Sequence, residues 1–322
     1  MGTGAGAVLL AGGTGFIGSA VLRELDRARG RHGTWSAPIF VMSRKSTGVT
    51  DTAGTRHLVG DLANPSTLRD VCSGVGTVIH AASYVGRDPQ RCHDVNHAGT
   101  RALLDDAHRH GVRRFVYIST ASVYGAGPHR GLREDRAQHA PASVASMTRL
   151  RAEEEVRGAG GIVLRPHLVY GAGDRWFVPN LARVLRENPT WPSSRPAYSS
   201  VIAVEDLARA VVALAFSNRS DDHGEVFHAA DPRPLSTERL LTAVCSMLSL
   251  PEPRRVPIAE HRARTRRALP GLSEHQYVLL TEDHWYDAGR LWRRTGLKSG
   301  PGFDNRFAAC APWYVRQLTA GG

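Results

Sequence analysis

The residues GGTGFIG follow the apolar run AVLLA and place Gly12, Gly15 and Gly18 three apart where a helix is expected to begin. Glycine lets the backbone turn sharply and come close to a phosphate, and a helix N-terminus offers free N–H groups and a partial positive charge. With Thr14, Phe16 and Ile17 in the same turn, a strand before it and a helix after it, the segment reads as the pyrophosphate cradle of a dinucleotide. The second apolar run ends in VMSRKS, where a site preferring NAD would usually carry a carboxylate for the ribose 2′-hydroxyl. Ser43, Arg44 and Lys45 supply a hydroxyl and two cations instead, a set suited to the 2′-phosphate of NADP(H); a solvated basic turn is the competing reading. Past the third strand, Asp61 is placed to accept from an adenine amine and Leu62 to pack on the ring, unless Asp61 is a simple turn aspartate.

These residues need a scaffold, and the apolar pattern supplies one. AVLLAG, PIFVMSR, TVIHAAS, RFVYISTAS and GIVLRPHLVYG read as strands, with helical stretches such as FIGSAVLRELDRARG and NHAGTRALLDDAHRHG between them. Strands rich in Val and Ile on both faces, alternating with helices, imply a parallel sheet covered on each side, a Rossmann-type doubly wound α/β fold. From Gly171 onward helices shorten and connections such as NPTWPSSRPAYSS are rich in proline, which indicates a smaller C-terminal lobe. The expected division is residues 1–170 plus about 198–230 for the NADP-binding lobe, and about 171–197 plus 231–322 for the substrate lobe.

The chain has 322 residues, 42% of them hydrophobic and 22% charged, the composition of an ordinary soluble globular enzyme. Its net charge of +11 is almost all arginine, since Lys45 and Lys298 are the lysines. The densest basic segment, RRVPIAEHRARTRR at 254–267, has no interleaved aromatic residues to stack bases, so it reads as a solvated face and no nucleic-acid partner is expected. No apolar run approaches the roughly 20 residues that span a bilayer. Cys72, Cys92, Cys245 and Cys310 are scattered, as a reducing compartment permits, and a cytoplasmic location with no membrane partner is expected. Fifteen histidines include no His-Glu-x-x-His, and Glu153-Glu154-Glu155 reads as a helix face, so no metal is expected.

Together these motifs resemble the extended short-chain dehydrogenase/reductase family, which includes nucleotide-sugar epimerases and dehydratases. GGTGFIG matches its glycine motif, Gly60-Asp61-Leu62 its adenine turn, and HAAS at 80–83 its fourth strand end, which puts Ala81, Ala82 and Ser83 beside the cofactor. NHAGT at 96–100, STASVYG, LRPHLVYGAGD, VIAVEDLARAVVALA and YDAGRLWRRTGLKSGPGF with APWYV follow in the family's order. The resemblance implies that Pro166, Leu168 and Val169 pass the nicotinamide and that Thr120, aided by Ser122, hydrogen-bonds the reacting carbonyl. It also implies a Tyr-x-x-x-Lys pair on the helix containing SVASMTRLRAE, where this chain has Ala145 and Arg149. The family lysine holds the nicotinamide ribose and lowers the tyrosine's pKa so that it can pass a proton. Arg149 can keep part of the first role, but Ala145 can do nothing for proton transfer.

Losing a positioned acid forfeits ~10²- to 10⁴-fold in rate, roughly 3 to 5.5 kcal/mol, whereas juxtaposing donor and carbonyl is worth about 7 to 11 kcal/mol. The larger contribution can survive, which favours an enzyme over a catalytically silent NADP(H)-binding sensor. Thr120 and Ser122 can donate a hydrogen bond but are poor acids, Tyr124 and His167 are candidates with packing as the alternative, and water or the substrate itself, for example a phenol hydrogen-bonded to the ketone, can also supply the proton. That inference narrows the resemblance to the atypical ketoreductases that tailor aromatic polyketide antibiotics of the angucyclinone type, with a small aromatic ketone as partner. A nucleotide-sugar epimerase is the rival enzyme, although such enzymes rely on the tyrosine. Tyr84, Tyr124, His167, Trp176, Phe177 and Trp191 are the candidates for a substrate wall, each with ordinary packing as the alternative.

Overall fold

The computed structural model describes residues 6–32, 37–45, 54–194, 196–217 and 223–319. Its main sheet has seven parallel strands: β1 (Ala7–Ala11), β2 (Ile39–Ser43), β3 (Thr55–Val59), β4 (Val75–His80), β5 (Arg114–Ile118), β6 (Ile162–Pro166) and β7 (Val226–Ala229). Their order across the sheet is β7-β6-β5-β4-β1-β2-β3. Helix α1 (Phe16–His32) follows β1, and α2 follows β4 as one run of Pro89–Cys92, a π-helical stretch His93–Ala98, and Gly99–Arg109. After β5 comes α3 (Val144–Gly158), then α4 (Phe177–Glu187) and α5 (Val204–Ala215).

The two-residue alternation of a strand explains why the sheet is covered on both sides. Val8 and Leu10 of β1 join Val21, Leu25, Leu207 and Val211 of α1 and α5, while Leu9 and Ala11 join Leu103, Ala107, Ala152 and Val156 of α2 and α3. Strand order reverses between β1 and β4, the point at which open α/β sheets form a ligand crevice beyond their C-terminal strand ends. Gly12–Gly18, Ser43–Lys45, Ala81–Ser83, Thr120–Ser122 and Pro166–Val169 all follow C-terminal ends of sheet strands.

The run GIVLRPHLVYG forms two strands where one was expected. Proline has no N–H for the ladder, and after Pro166 the chain leaves the large sheet; Leu168–Tyr170 pairs in parallel with Val201–Ala203 instead. Beyond β7 come α6 (Thr237–Leu248), α7 (Ile258–Ala268), α8 (Glu274–Thr281), α9 (Gly289–Thr295) and α10 (Phe303–Thr319). A second hydrophobic cluster gathers Tyr170, Phe177, Leu181, Trp191, Leu240, Val244, Phe303, Phe307 and Tyr314. A small sheet, ordered Leu235–Ser236, Tyr198–Ser199, His284–Tyr286 and His129–Leu132, joins segments far apart in sequence. The basic segment around α7 is laced to acids: Arg254 and Arg264 to Glu260, Arg255 to Glu238, and Arg262 and Arg266 to Glu274. Among the described residues no helix is long and apolar enough to cross a membrane.

Candidate active site

At the head of the crevice the glycines are required by contact as well as by conformation. Gly12 has φ +86°, and a Cβ there would lie 2.7 Å from the Ala82 nitrogen; a Cβ on Gly18 would lie 2.0 Å from the Gly12 oxygen. Gly12 thus lets the turn rest on the end of β4, and Gly18 lets α1 pack on the turn. Gly15 donates its N–H to the Gly12 carbonyl at 3.0 Å. Thr14 and Gly15 are exposed, and Phe16 and Ile17 are half-buried. This cradle fits a dinucleotide pyrophosphate. At the end of β2 the Ser43 hydroxyl donates to the Lys45 carbonyl at 2.8 Å, and Arg44 and Lys45 are exposed.

The turn after β3 differs in part from expectation. Asp61 accepts from the Ala63 N–H at 3.0 Å, and its own N–H donates to Thr67 Oγ1 at 2.8 Å. Leu62 is buried in the core beside Leu68 and Leu103, and its side chain anchors the turn. Its carbonyl explains the glycine of NHAGT, since a Cβ at Gly99 would come within 2.4 Å of it. The asparagine of the same motif ties the loop after β4 to two helices. Asn96 Oδ1 accepts from the Tyr84 N–H at 2.7 Å, and its Nδ2 donates to the Tyr84 carbonyl at 2.9 Å and to Thr148 Oγ1 at 3.1 Å.

Thr120 caps the short turn Ala121–Tyr124: its Oγ1 accepts from the Ser122 N–H at 3.1 Å and donates to Ser122 Oγ at 3.2 Å. Both side chains are half-buried. Helix α3 starts in a capping box in which the Ser143 and Ser146 side chains each accept from the other's backbone N–H. Ala145 and Arg149 lie one turn apart on it, and Arg149 Nη2 donates to the Ile118 carbonyl at the end of β5 at 2.9 Å. The Arg149 Nε is buried without a hydrogen-bond partner, as are Tyr117 OH and His80 Nδ1. Burial, reinforced by the Arg149 charge, pushes His80 down to about 3.

One part of the site was not anticipated. Glu153, expected on a helix face, is fully buried against Arg165 of β6, whose Nε donates to Glu153 Oε1 at 3.1 Å and to Oε2 at 2.9 Å. Arg165 Nη1 donates to Tyr124 OH at 2.6 Å, and that hydroxyl donates in turn to His228 Nε2 at 2.6 Å. His228 Nδ1 faces the Asp287 carbonyl at 3.2 Å, and burial pushes His228 down to about 3 and Tyr124 up to about 12. The signal in the sequence was Arg165 itself, a charge inside the apolar strand IVLRP.

Of the proposed substrate wall, Tyr124, Phe177 and Trp191 are turned inward. Tyr124 belongs to the buried network, and Phe177 and Trp191 to the second hydrophobic cluster, where Trp191 packs on His261 at 5.3 Å. Tyr84, with the Arg91 guanidinium 4.7 Å above its ring, and His167 are half-buried, while Trp176 is 67% exposed. Among the described residues, Asp70, Asp106 and His110 are the acidic and histidine groups that converge closely enough to suggest a metal. Asp106 already accepts from the Asp70 N–H at 2.9 Å, the Cys72 N–H at 2.8 Å and Arg109, which makes the group a clasp between loop and helix.

The chain is 26% identical over 325 residues to a 2-alkyl-3-oxoalkanoate reductase of Stenotrophomonas maltophilia, covering 95% of this chain and 90% of that one. It is 26% identical over 243 residues to the 4-hydroxy-2-methyl-3-oxo-4-farnesyl-3,4-dihydroquinoline-1-oxide ketoreductase of Stigmatella aurantiaca, covering 72% and 70%. The fold superposes on the Bordetella bronchiseptica enzyme WbmH in complex with NAD+ with a TM-score of 0.75, at 20% identity and over 97% and 99% of the two chains. The family model for the NAD dependent epimerase/dehydratase family matches residues 8–230. With its glycine turn and reversed strand order, the chain belongs to that family of oxidoreductases and epimerases.

Proposed function

We propose that this protein is an NADPH-dependent ketoreductase acting on a ketone of an aromatic polyketide intermediate, similar to the angucyclinone ketoreductase of simocyclinone biosynthesis. The observation that carries the reading is Ala145, a methyl group one helical turn before Arg149, where the resemblance calls for an acid. Two relatives whose names describe reduction of an oxo group support it. Sugar-nucleotide epimerisation is disfavoured because it needs a base to begin oxidation of an unactivated alcohol.

In this reading residues 1–170 with about 198–230 hold the cofactor, and about 171–197 with 231–322 shape the substrate side. Gly12, Gly15 and Gly18 receive the pyrophosphate, Ser43, Arg44 and Lys45 the 2′-phosphate, and Asp61 the adenine amine. Ala81, Ala82, Ser83, Pro166, Leu168 and Val169 border the nicotinamide, and Arg149 presents positive charge to its ribose. When bound, NADPH supplies the hydride that the carbonyl carbon accepts. Thr120 and Ser122, already hydrogen-bonded to each other, turn their hydroxyls to the carbonyl oxygen and fix its position. The developing alkoxide takes its proton from a phenol on the same substrate, or from water, and solvent restores the phenol proton; an internal hydrogen bond of this kind stabilises the oxyanion as an enzyme donor would. Four buried free thiols suit a cytoplasmic setting.

The test follows NADPH absorbance with quinone-type ketones that carry or lack a neighbouring phenol. Oxidation confined to the phenol-bearing members is the expected result. Turnover with every member removes the substrate-assisted step, and turnover with none leaves a cofactor-binding sensor.

A further inference from the structure

Four rings form a closed cycle beside the catalytic turn. His129 lies 5.6 Å from His284 and 5.6 Å from Tyr286; His167 lies 5.7 Å from His284, stacked at 18°, and 5.4 Å from Tyr286. Tyr124, the last residue of the turn that Thr120 caps, touches the cycle at Tyr286 (5.5 Å) and His129 (6.1 Å). The rings come from three separated segments: the strand His129–Leu132, the residue directly after β6, and the strand His284–Tyr286.

His284 is fully buried and engaged at both nitrogens, with Nε2 2.7 Å from the Ala126 carbonyl and Nδ1 3.1 Å from the Glu282 carbonyl. Its two histidine neighbours differ from it in this respect. The Nε2 atoms of His129 and His167 are both buried with no hydrogen-bond partner, and so is Nδ1 of His275, on α8. Leaving a buried polar atom unpaired costs about 1–3 kcal/mol, so orphans on rings that share His284 and Tyr286 as neighbours call for a ligand that satisfies them. All three histidines are held below their ordinary range, by burial first and then by neighbouring histidine charge, and therefore act as neutral imidazoles. A neutral imidazole walled by aromatic rings is suited to a hydroxyl on a flat aromatic ligand. A metal suits the group less, because these nitrogens are not among the described ligand atoms that lie within 4.8 Å of one another.

We propose that His129 and His167 form a hydroxyl-reading subsite, their Nε2 atoms hydrogen-bonding phenolic or enolic groups of the substrate while Tyr286 and His284 hold the two rings in place. The subsite rests on the ketoreductase reading for its place beside the reacting carbonyl. Its role is recognition, with no proton transferred to product. It gives the crevice a preference among polycyclic ketones that the core residues Phe177 and Trp191 do not supply.

The experiment measures binding apart from turnover. The full chain with NADP+ is titrated calorimetrically with 2,6-dihydroxyanthraquinone, whose hydroxyls lie away from the carbonyls and are free to donate, and with unsubstituted anthraquinone, for the wild type and for His129→Phe, His167→Phe and His167→Gln. The wild type is expected to favour the dihydroxy compound by about tenfold or more; each Phe variant loses that preference, His167→Gln restores part of it, and NADP+ affinity is unchanged throughout. Should a Phe variant fail to fold, His167→Gln and His129→Gln carry the test, with a preference intermediate between wild type and none. Equal binding of the two compounds by the wild type, or an undiminished preference in the folded variants, overturns the subsite. A preference that is present and histidine-dependent, with no NADPH oxidation by any ketone, retains the subsite and removes the reductase reading.

Discussion

Arg149 reaches the strand end with a fork of donors, one of which is already engaged by the Ile118 carbonyl. Arg149→Lys keeps the charge but gives up the planar fork, and is expected to raise KM for NADPH with a smaller change in kcat, because one compact ammonium must then divide its donors between the carbonyl and the ribose. Arg44→Ala should weaken NADPH by roughly 10- to 100-fold, the ~1.5–3 kcal/mol of a charge-assisted hydrogen bond, and leave NADH affinity nearly unchanged; equal losses for both nucleotides would remove the 2′-phosphate argument. Thr120→Ala should slow turnover only modestly if the substrate supports its own oxyanion, and complete loss of activity would count against that step. The contacts made by individual residues were legible only in part. Gly12 and Gly18 announced themselves because tight turns leave few alternatives to glycine. Leu62 did not, because its sequence neighbours cannot reveal that Gly99 of α2 lies over its backbone.

The helices and strands were read from apolar spacing, which succeeds where both faces of a strand are buried and fails where a charge turns inward. Three consecutive glutamates at 153–155 sit about 100° apart around α3, so one of them must approach the sheet, and nothing local says which. The buried partner, Arg165, decides it. Glu153→Ala removes half of a pair that water cannot reach, and urea denaturation should show a loss of about 3–5 kcal/mol. At the start of α1, Gly18→Ala forces a methyl onto the Gly12 carbonyl, and fluorescence titration should show NADPH weakened at least tenfold, about 1.4 kcal/mol. The break of GIVLRPHLVYG into two strands was missed for the opposite reason: apolar periodicity runs straight through Pro166, and only the missing N–H ends the ladder.

For the molecule as a whole, parallel order and double coverage followed from strand–helix alternation, whereas the small sheet did not, since its four short strands span residues 129 to 286 and pair only in the finished fold. Stability should also carry a pH signature that no motif announces. Just beyond β7, burial pushes the Asp231 carboxyl up to about 7, with the Asp206 charge adding to it and Arg306 opposing. A carboxyl whose pKa is higher folded than unfolded holds its proton more tightly in the native state, so this group's contribution to stability falls as pH rises from about 4 to about 7. Calorimetry should find that Asp231→Asn raises Tm at pH 8 and changes it little at pH 4; a gain that is the same at both values would show that the charge is not the cause.

Because the chain leaves the large sheet at Pro166 and joins Val201–Ala203 two residues later, a ketone resting on His167 bears on two ladders together. Occupancy then works as a brace: deuterium uptake should slow in β6 and in Val201–Ala203 as a pair once ketone and NADP+ are both present, whereas the nucleotide alone should slow the turns after β1, β2, β3 and β4 and protect Val201–Ala203 less.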